Sequence, residues 1–274
     1  MPEPDINRSG LTLTGKVVIV TGGSRGIGAG CARVFVDAGA RVMTCGRDPE
    51  AGESLVKELS ECTPGECAFE VCDVSRPDEI RALIDSTISR FGRLDCLINN
   101  AGYHPPVKRI DDFDLDALQE VWQTNFVSQF TACRHALPHL RKTRGSIINM
   151  SSLVGEIGQE GATTYCSTKG AINAFTKALA IEEATNGVRV NAVLPGNIVS
   201  DSRVQFLRTV PKAQEVERWL DANQHNGRSG TNEEVGQLCL FLASEAASYI
   251  TGTLQIISAG AELGYGVKYP TSFL

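Results

Sequence analysis

Seven short apolar runs punctuate the chain, at residues 16–21, 41–45, 67–72, 94–99, 146–150, 188–194 and 254–258. The first reads Lys-Val-Val-Ile-Val-Thr, β-branched and without polar alternation, the pattern of a strand covered on both faces. Between the runs, apolar positions recur at helical spacing, beginning with a predicted helix from Gly26 to about Gly39. Strands that alternate with helices predict right-handed crossovers. The expected fold is α/β, a Rossmann-type doubly wound, seven-stranded parallel sheet with helices on both faces.

Ligands of such sheets bind beyond the carboxyl ends of the strands. Residues 22–28, Gly46 and Arg47, Asp73 and Val74, Asn99 to Gly102, Ser151 and Ser152, and Pro195 and Gly196 all fall there. The longest stretch without strand character runs from 197 to 231. Its Phe206, Leu207 and Val210, then Val216, Trp219 and Leu220, predict one or two short helices, either covering a substrate or simply packing at the surface. No linker, internal repeat or low-complexity segment interrupts the 274 residues, so a single domain is expected, with 1–12 and 267–274 as flexible ends.

Composition narrows the partners. A net charge of −6 with scattered Lys and Arg excludes a nucleic-acid surface and leaves small molecules. No apolar run reaches the ~18 residues of a membrane span, and the first residues lack the pattern of a secretory signal, so no membrane partner and a cytosolic location are expected. Nine cysteines, odd in number and without a Cys-x-x-Cys pair, read as reduced and mostly buried thiols. Cys62, Cys67 and Cys72 lack a fourth ligand, and His135 and His139 lack a third, so no metal is expected.

The turn after the first run is Thr21-Gly22-Gly23-Ser24-Arg25-Gly26-Ile27-Gly28. Glycines at 22, 26 and 28 let a diphosphate approach the start of a helix, whose free N–H groups and dipole attract it. Gly22, Ser24, Arg25, Gly26, Ile27 and Gly28 are therefore candidate dinucleotide contacts. At the end of the second strand, where a carboxylate would bond an adenosine 2′-hydroxyl, the chain has Gly46 followed by Arg47. Two guanidinium groups, Arg25 and Arg47, with no carboxylate between them favour NADP over NAD. NAD stays open because Arg25 suits both. Asp73, after the third strand, is placed to accept from the adenine amino group.

Tyr165 and Lys169 lie one helical turn apart on one face. Bringing a phenol from pH ~10 to ~7 requires roughly 4 kcal/mol of preference for the phenolate, which a nearby ammonium and a positive nicotinamide ring can supply. Tyr165 is the expected acid/base, with Ser152 polarising the substrate oxygen. His104, His135, His139 and His225 form no triad with a serine, which argues against hydrolysis. A non-catalytic nucleotide sensor is the competing reading; a pure binder has no need of the Tyr165 hydroxyl.

With these motifs in order, the chain resembles the short-chain dehydrogenase/reductase family over nearly its whole length. The resemblance implies catalytic roles for Asn125, Ser152, Tyr165 and Lys169, with Asn125 in a proton relay and Lys169 also holding a ribose. It implies cofactor contacts at Asn100, Ala101 and Gly102, at Pro195 and Gly196, and at Ile198 and Ser200 for the nicotinamide carboxamide. Within the family, the segments His104-Pro105-Pro106, Ile157-Gly158-Gln159 and residues 260–266 resemble 17-beta-hydroxysteroid dehydrogenases. By that similarity His104 and Gln159 line the substrate pocket, and Tyr265 reaches a neighbour's pocket in a homotetramer. The departures are Gly46 for an Asp, Val199 for a large aromatic, and a divergent 201–226 segment. The implied activity is NAD(P)-dependent interconversion of a secondary alcohol and a ketone, on a steroid or alternatively a sugar or other small carbonyl.

Overall fold

A computed structural model describes residues 11–60 and 64–263, with the Ser202 side chain left out. Seven strands, β1 (Val17–Val20), β2 (Arg41–Gly46), β3 (Glu66–Val71), β4 (Cys96–Asn99), β5 (Ser146–Met150), β6 (Arg189–Pro195) and β7 (Leu254–Ile257), form one sheet. The order is β3-β2-β1-β4-β5-β6-β7, and every pairing is parallel. The helices are α1 (Gly26–Asp37), α2 (Pro49–Ser60), α3 (Pro77–Phe91), α4 (Leu115–Trp122), α5 (Ser128–Thr143), α6 (Val154–Ile157), α7 (Thr163–Glu183), α8 (Asp201–Thr209), α9 (Ala213–Ala222) and α10 (Asn232–Ala243). All seven expected strands are present.

The missing polar alternation has its cause in two cores, one on each face of the sheet. Successive side chains of a strand point to opposite faces. Val18 and Val20 of β1 pack with Phe35 of α1 and Leu240 of α10, whereas Val17 and Ile19 pack with Ile84 of α3 and Leu140 of α5. Both faces exclude water, so each position must be apolar. Truncating one of these fully buried residues, such as Ile148, to Ala is expected to cost about 2–5 kcal/mol.

The chain runs outward from β1 through β3 and then crosses back to β4, so strand order reverses between β1 and β4. Beyond their carboxyl ends opens the crevice where ligands of such sheets sit. The segment after β4 is laced to the glycine turn after β1. Asn100 Nδ2 donates to the carbonyls of Thr21 (2.9 Å) and Gly22 (3.0 Å), and Thr21 Oγ1 accepts from the Asn100 amide at 3.0 Å. A Cβ on Gly22 would fall 2.9 Å from Ala101 Cα, which only glycine avoids.

Eight cysteines fall among the described residues; all are free and only Cys166 is partly exposed. No described helix is long and apolar enough to cross a membrane. Residues 1–10 and 267–274 of the expected flexible ends lie outside the described residues.

Candidate active site

Helix α1 begins at Gly26 without a side-chain cap from Arg25 and without an acidic residue in its first turn. Helix α10, by contrast, has a full capping box between Thr231 and Glu234. The uncapped start, next to glycines that admit a close approach, fits a bound diphosphate. Ile27 packs into the core beneath the turn, Gly28 meets Gly22 so closely that a Cβ would lie 2.2 Å from its carbonyl oxygen, and Ser24 Oγ stands 2.8 Å from where a Cβ of Gly46 would be. One acceptor does reach the turn. Asp201, the first residue of α8, takes the Gly26 amide on Oδ2 at 2.8 Å.

The adenosine side corrects one expectation. Arg25 forms an ion pair with Asp48, whose other oxygen accepts from the Ala51 amide at 3.1 Å at the start of α2. A carboxylate therefore stands beside the two arginines, and Arg25 is not a free phosphate ligand. Asp48 precedes Pro49 as a helix-capping acid does, and that local signal was readable. Arg47 is exposed and makes no ion pair or hydrogen bond among the described residues. Burial would raise the Asp73 carboxyl, but the Ser75 amide and hydroxyl, with Arg47 and Arg76 nearby, hold it below its ordinary range. Val74 packs against the core shared with α3.

On α7, Tyr165 and Lys169 share a face as the spacing predicted. The Lys169 ammonium lies 5.5 Å from the Tyr165 ring centroid and donates to the Met150 carbonyl at 2.8 Å. Ser152, just past β5, accepts from the Val154 amide on Oγ at 3.4 Å and lies near enough to the Tyr165 hydroxyl to favour its ionisation. The acid/base trio is assembled, yet the expected acidification is not a property of these side chains alone. Burial pushes the Tyr165 phenol up to about 12, against a lowering pull from Ser152, and burial also pushes Lys169 down to about 8. Desolvation opposes the charged form of both groups, raising the phenol and lowering the ammonium.

Asn125 sits in a wide helical turn, Gln123–Val127, between α4 and α5, fully buried. Its Oδ1 accepts from the Tyr103 amide and its Nδ2 donates to the Tyr103 carbonyl, both at 2.9 Å, with Thr168 Oγ1 at 3.4 Å. A Cβ on Gly102 would lie 2.9 Å from Asn125 Oδ1, so glycine is needed there. Asn125 thus pins the segment that carries His104. The His104 ring reaches Tyr165, with centroids 4.3 Å apart. Gln159 is exposed, and its backbone meets the Cys166 thiol, one residue from Tyr165. Tyr265 lies outside the described residues.

At the end of β6, the Pro195 carbonyl accepts from the Leu153 amide at 3.0 Å and the Gly196 amide donates to Ile257 at 3.0 Å. Ile198 is buried and bridges to Gly230, and Ser200 caps α8 by accepting from the Arg203 amide at 3.4 Å. The predicted short helices are α8 and α9. They are tied together by the buried Arg203, which donates to Asp221 at 3.1 Å and to Ser229. Asp201 at the Gly26 amide and Gln129 at the Met150 carbonyl were missed by sequence reasoning. Their partners lie 175 and 21 residues away, and no local pattern announces such contacts.

Comparison with known proteins places these features. A family profile described as enoyl-(acyl carrier protein) reductase matches residues 22–262. The chain is 47% identical over 259 residues to L-fucose dehydrogenase of Bos taurus, covering 94% of each chain. It is 38% identical over 253 residues to 3-oxoacyl-[acyl-carrier-protein] reductase of Chlamydia pneumoniae, covering 91% of this chain and 98% of the other. The crystal structure of Cj0485 dehydrogenase superposes with a TM-score of 0.87 at 28% identity, covering 95% of this chain and 99% of that one. The steroid-type resemblance rested on short segments, whereas L-fucose dehydrogenase and the acyl-carrier-protein reductase match over nearly the whole chain, the former at the higher identity.

Proposed function

This chain belongs to the short-chain dehydrogenase/reductase family and is an NAD(P)-dependent oxidoreductase of CH–OH donors, and from that premise we propose that its substrate is a sugar of the L-fucose kind. The observation that carries the reading is the gathering of His104 and Ser152 about Tyr165, in a chain 47% identical to L-fucose dehydrogenase of Bos taurus. A sugar offers several hydroxyls, and a site edged by a hydroxyl, a phenol and an imidazole answers them with directional hydrogen bonds.

The nicotinamide dinucleotide, when bound, supplies the hydride acceptor or donor. Gly22, Ser24, Ile27 and Gly28 would hold its diphosphate, Asn100 to Gly102 its central region, Ile198 and Ser200 its carboxamide, and Lys169 its ribose. In alcohol oxidation Tyr165 acts as the phenolate, which the positive nicotinamide ring and Lys169 together would favour, and takes the proton of the substrate hydroxyl; in reduction it acts as the phenol and gives its own proton to the carbonyl oxygen. Ser152 donates to that oxygen as charge develops on it. Asn125 holds the backbone that brings His104 to the Tyr165 ring.

NADP(H) is the proposed cofactor, supported by Gly46 in place of a carboxylate and by the unpartnered Arg47. The reading extends to a homotetramer, supported by apolar side chains left exposed on three helices, Leu115 of α4, Phe130 of α5 and Ile181 of α7. The test is a fluorescence titration with NADPH and NADH, followed by turnover assays on L-fucose, related aldoses and a panel of hydroxysteroids. Turnover of L-fucose or a close aldose is expected. Turnover of hydroxysteroids alone would replace the sugar reading with the steroid one.

A further inference from the structure

One buried amide is unaccounted for by the chemistry above. Gln129, on the first turn of α5, is 2% exposed, and its Oε1 is buried with no hydrogen-bond partner. An unmet acceptor in a dry interior is a standing penalty that leucine or methionine would avoid. The other end of the amide has a partner. Gln129 Nε2 donates to the Met150 carbonyl at 3.3 Å, and that oxygen is the one that takes the Lys169 ammonium at 2.8 Å.

We infer that Gln129 is a positioning residue for Lys169, acting through the Met150 carbonyl that the two side chains share. The inference rests on the oxidoreductase reading for its purpose, though not for its test. A carbonyl oxygen has two lone pairs. With Gln129 on one of them, the Met150 peptide plane is held in a set direction, and less electron density is left for the ammonium on the other. Lys169 is kept on the Met150 carbonyl, but loosely enough to turn toward a ribose.

The local structure supports this division of labour. Asn125, within the wide turn Gln123–Val127, and Gln129, four residues on in α5, both reach the elements that carry the acid/base. Ser151, next to Met150, donates from Oγ to the Lys169 carbonyl at 3.0 Å, so β5 and α7 are joined at both ends of this lysine. The groups facing Lys169 are Tyr165 from its own helix, Met150 and Ser151 from β5 and its end, and Asn125 and Gln129 from the turn and α5. Tyr165 is the one titratable group of this set, and burial alone accounts for the lowered proton affinity of the lysine. The Met150 carbonyl is the one hydrogen-bond acceptor of this ammonium among the described residues, so its strength and direction set where the ammonium rests.

The test needs neither cofactor nor substrate. In the full-length protein labelled with 13Cε-lysine, the Lys169 resonance, assigned by its disappearance in Lys169→Met, is titrated by NMR. Gln129→Met keeps the length and removes the donor; the midpoint is expected to rise by about half to one pH unit, as the freed carbonyl holds the ammonium more firmly. Gln129→Glu, whose ionised carboxylate faces the ammonium, is expected to raise it by more than about one unit. In turnover, Gln129→Met is expected to lose about fivefold in kcat and to weaken NADPH by about three- to fivefold, as the ammonium is held back from the ribose. Midpoints unchanged in both variants, with only a lowered Tm, would reduce Gln129 to packing and overturn the inference. A shifted midpoint in a protein that turns over no sugar would leave this inference standing and remove the sugar reading.

Discussion

The rings of His104 and Tyr165 lie 4.3 Å apart and tilted by 41°, although one belongs to the loop after β4 and the other to α7. Tyr165→Phe keeps the ring stacking and removes the hydroxyl. It is expected to lower kcat by at least about a thousandfold while NADPH binding, read by fluorescence, changes less than about twofold. His104→Ala is expected to raise KM for the sugar more than it lowers kcat, because the imidazole edges the substrate and takes no proton in the proposed chemistry. Retained turnover in Tyr165→Phe would exclude this phenol as the acid/base.

Lys169 gives the site a stability cost with a definite pH window. Its proton affinity is pushed down from 10.5 to about 8 by burial, so the unfolded chain holds this proton more tightly than the folded one. The resulting penalty is complete below about pH 8 and disappears as pH rises toward 10.5. Lys169→Met is expected to be inactive and, at pH 7, more stable by up to about 3 kcal/mol in urea denaturation, with the gap closing by pH 10.5. Tyr165 runs the other way. Its phenol is raised to about 12, so above pH 10 the unfolded chain ionises first and the folded state loses ground.

Arg47 is the guanidinium left free at the end of β2, since Arg25 is committed to Asp48. Arg47→Asp is expected to weaken NADPH by at least about tenfold and NADH by less than about threefold. Equal losses for the two cofactors in fluorescence titrations would remove the case for a 2′-phosphate contact.

Asp201 holds the Gly26 amide at 2.8 Å, at a helix start proposed to receive a diphosphate. Two anions at one helix terminus repel each other. Asp201→Asn keeps the shape and removes the charge, and NADPH affinity is expected to rise about threefold, more at low salt than at high salt. An unchanged dissociation constant would mean that the diphosphate does not approach this amide.

The capping box of α10 gives an acid-sensitive anchor beneath the same region. Arg228, then the Thr231 amide, lower the Glu234 carboxyl to about 2. Its contribution is fully present above about pH 4.5 and is lost as pH falls through 2. Thr231→Ala is expected to cost about 1 kcal/mol at pH 7, measured by thermal denaturation.

How much was legible follows from the range of each interaction. The seven strands and the helices α8 and α9 could be read because burial on both faces and helical spacing leave marks within ten residues or so. Tyr165 and Lys169 share a face because four residues make about one turn. Asp48 was legible too, as an acid before a proline at a helix start, yet its hold on Arg25 was not, because that pair spans two loops.

From the chain alone came the seven strands, the glycine turn and the Ser152, Tyr165 and Lys169 set, consequences of local sterics and periodicity, whereas Asn125 came only from the family resemblance. The tertiary structure decided which groups those side chains meet. Lys169 rests on a carbonyl it shares with Gln129, Asp201 accepts from the Gly26 amide 175 residues earlier in the chain, and Tyr165 is made less acidic by burial at a place where His104 lies against it. Proton affinity and ligand fit depend on desolvation and on neighbours brought close by folding, and neither is encoded in the spacing of residues along the chain.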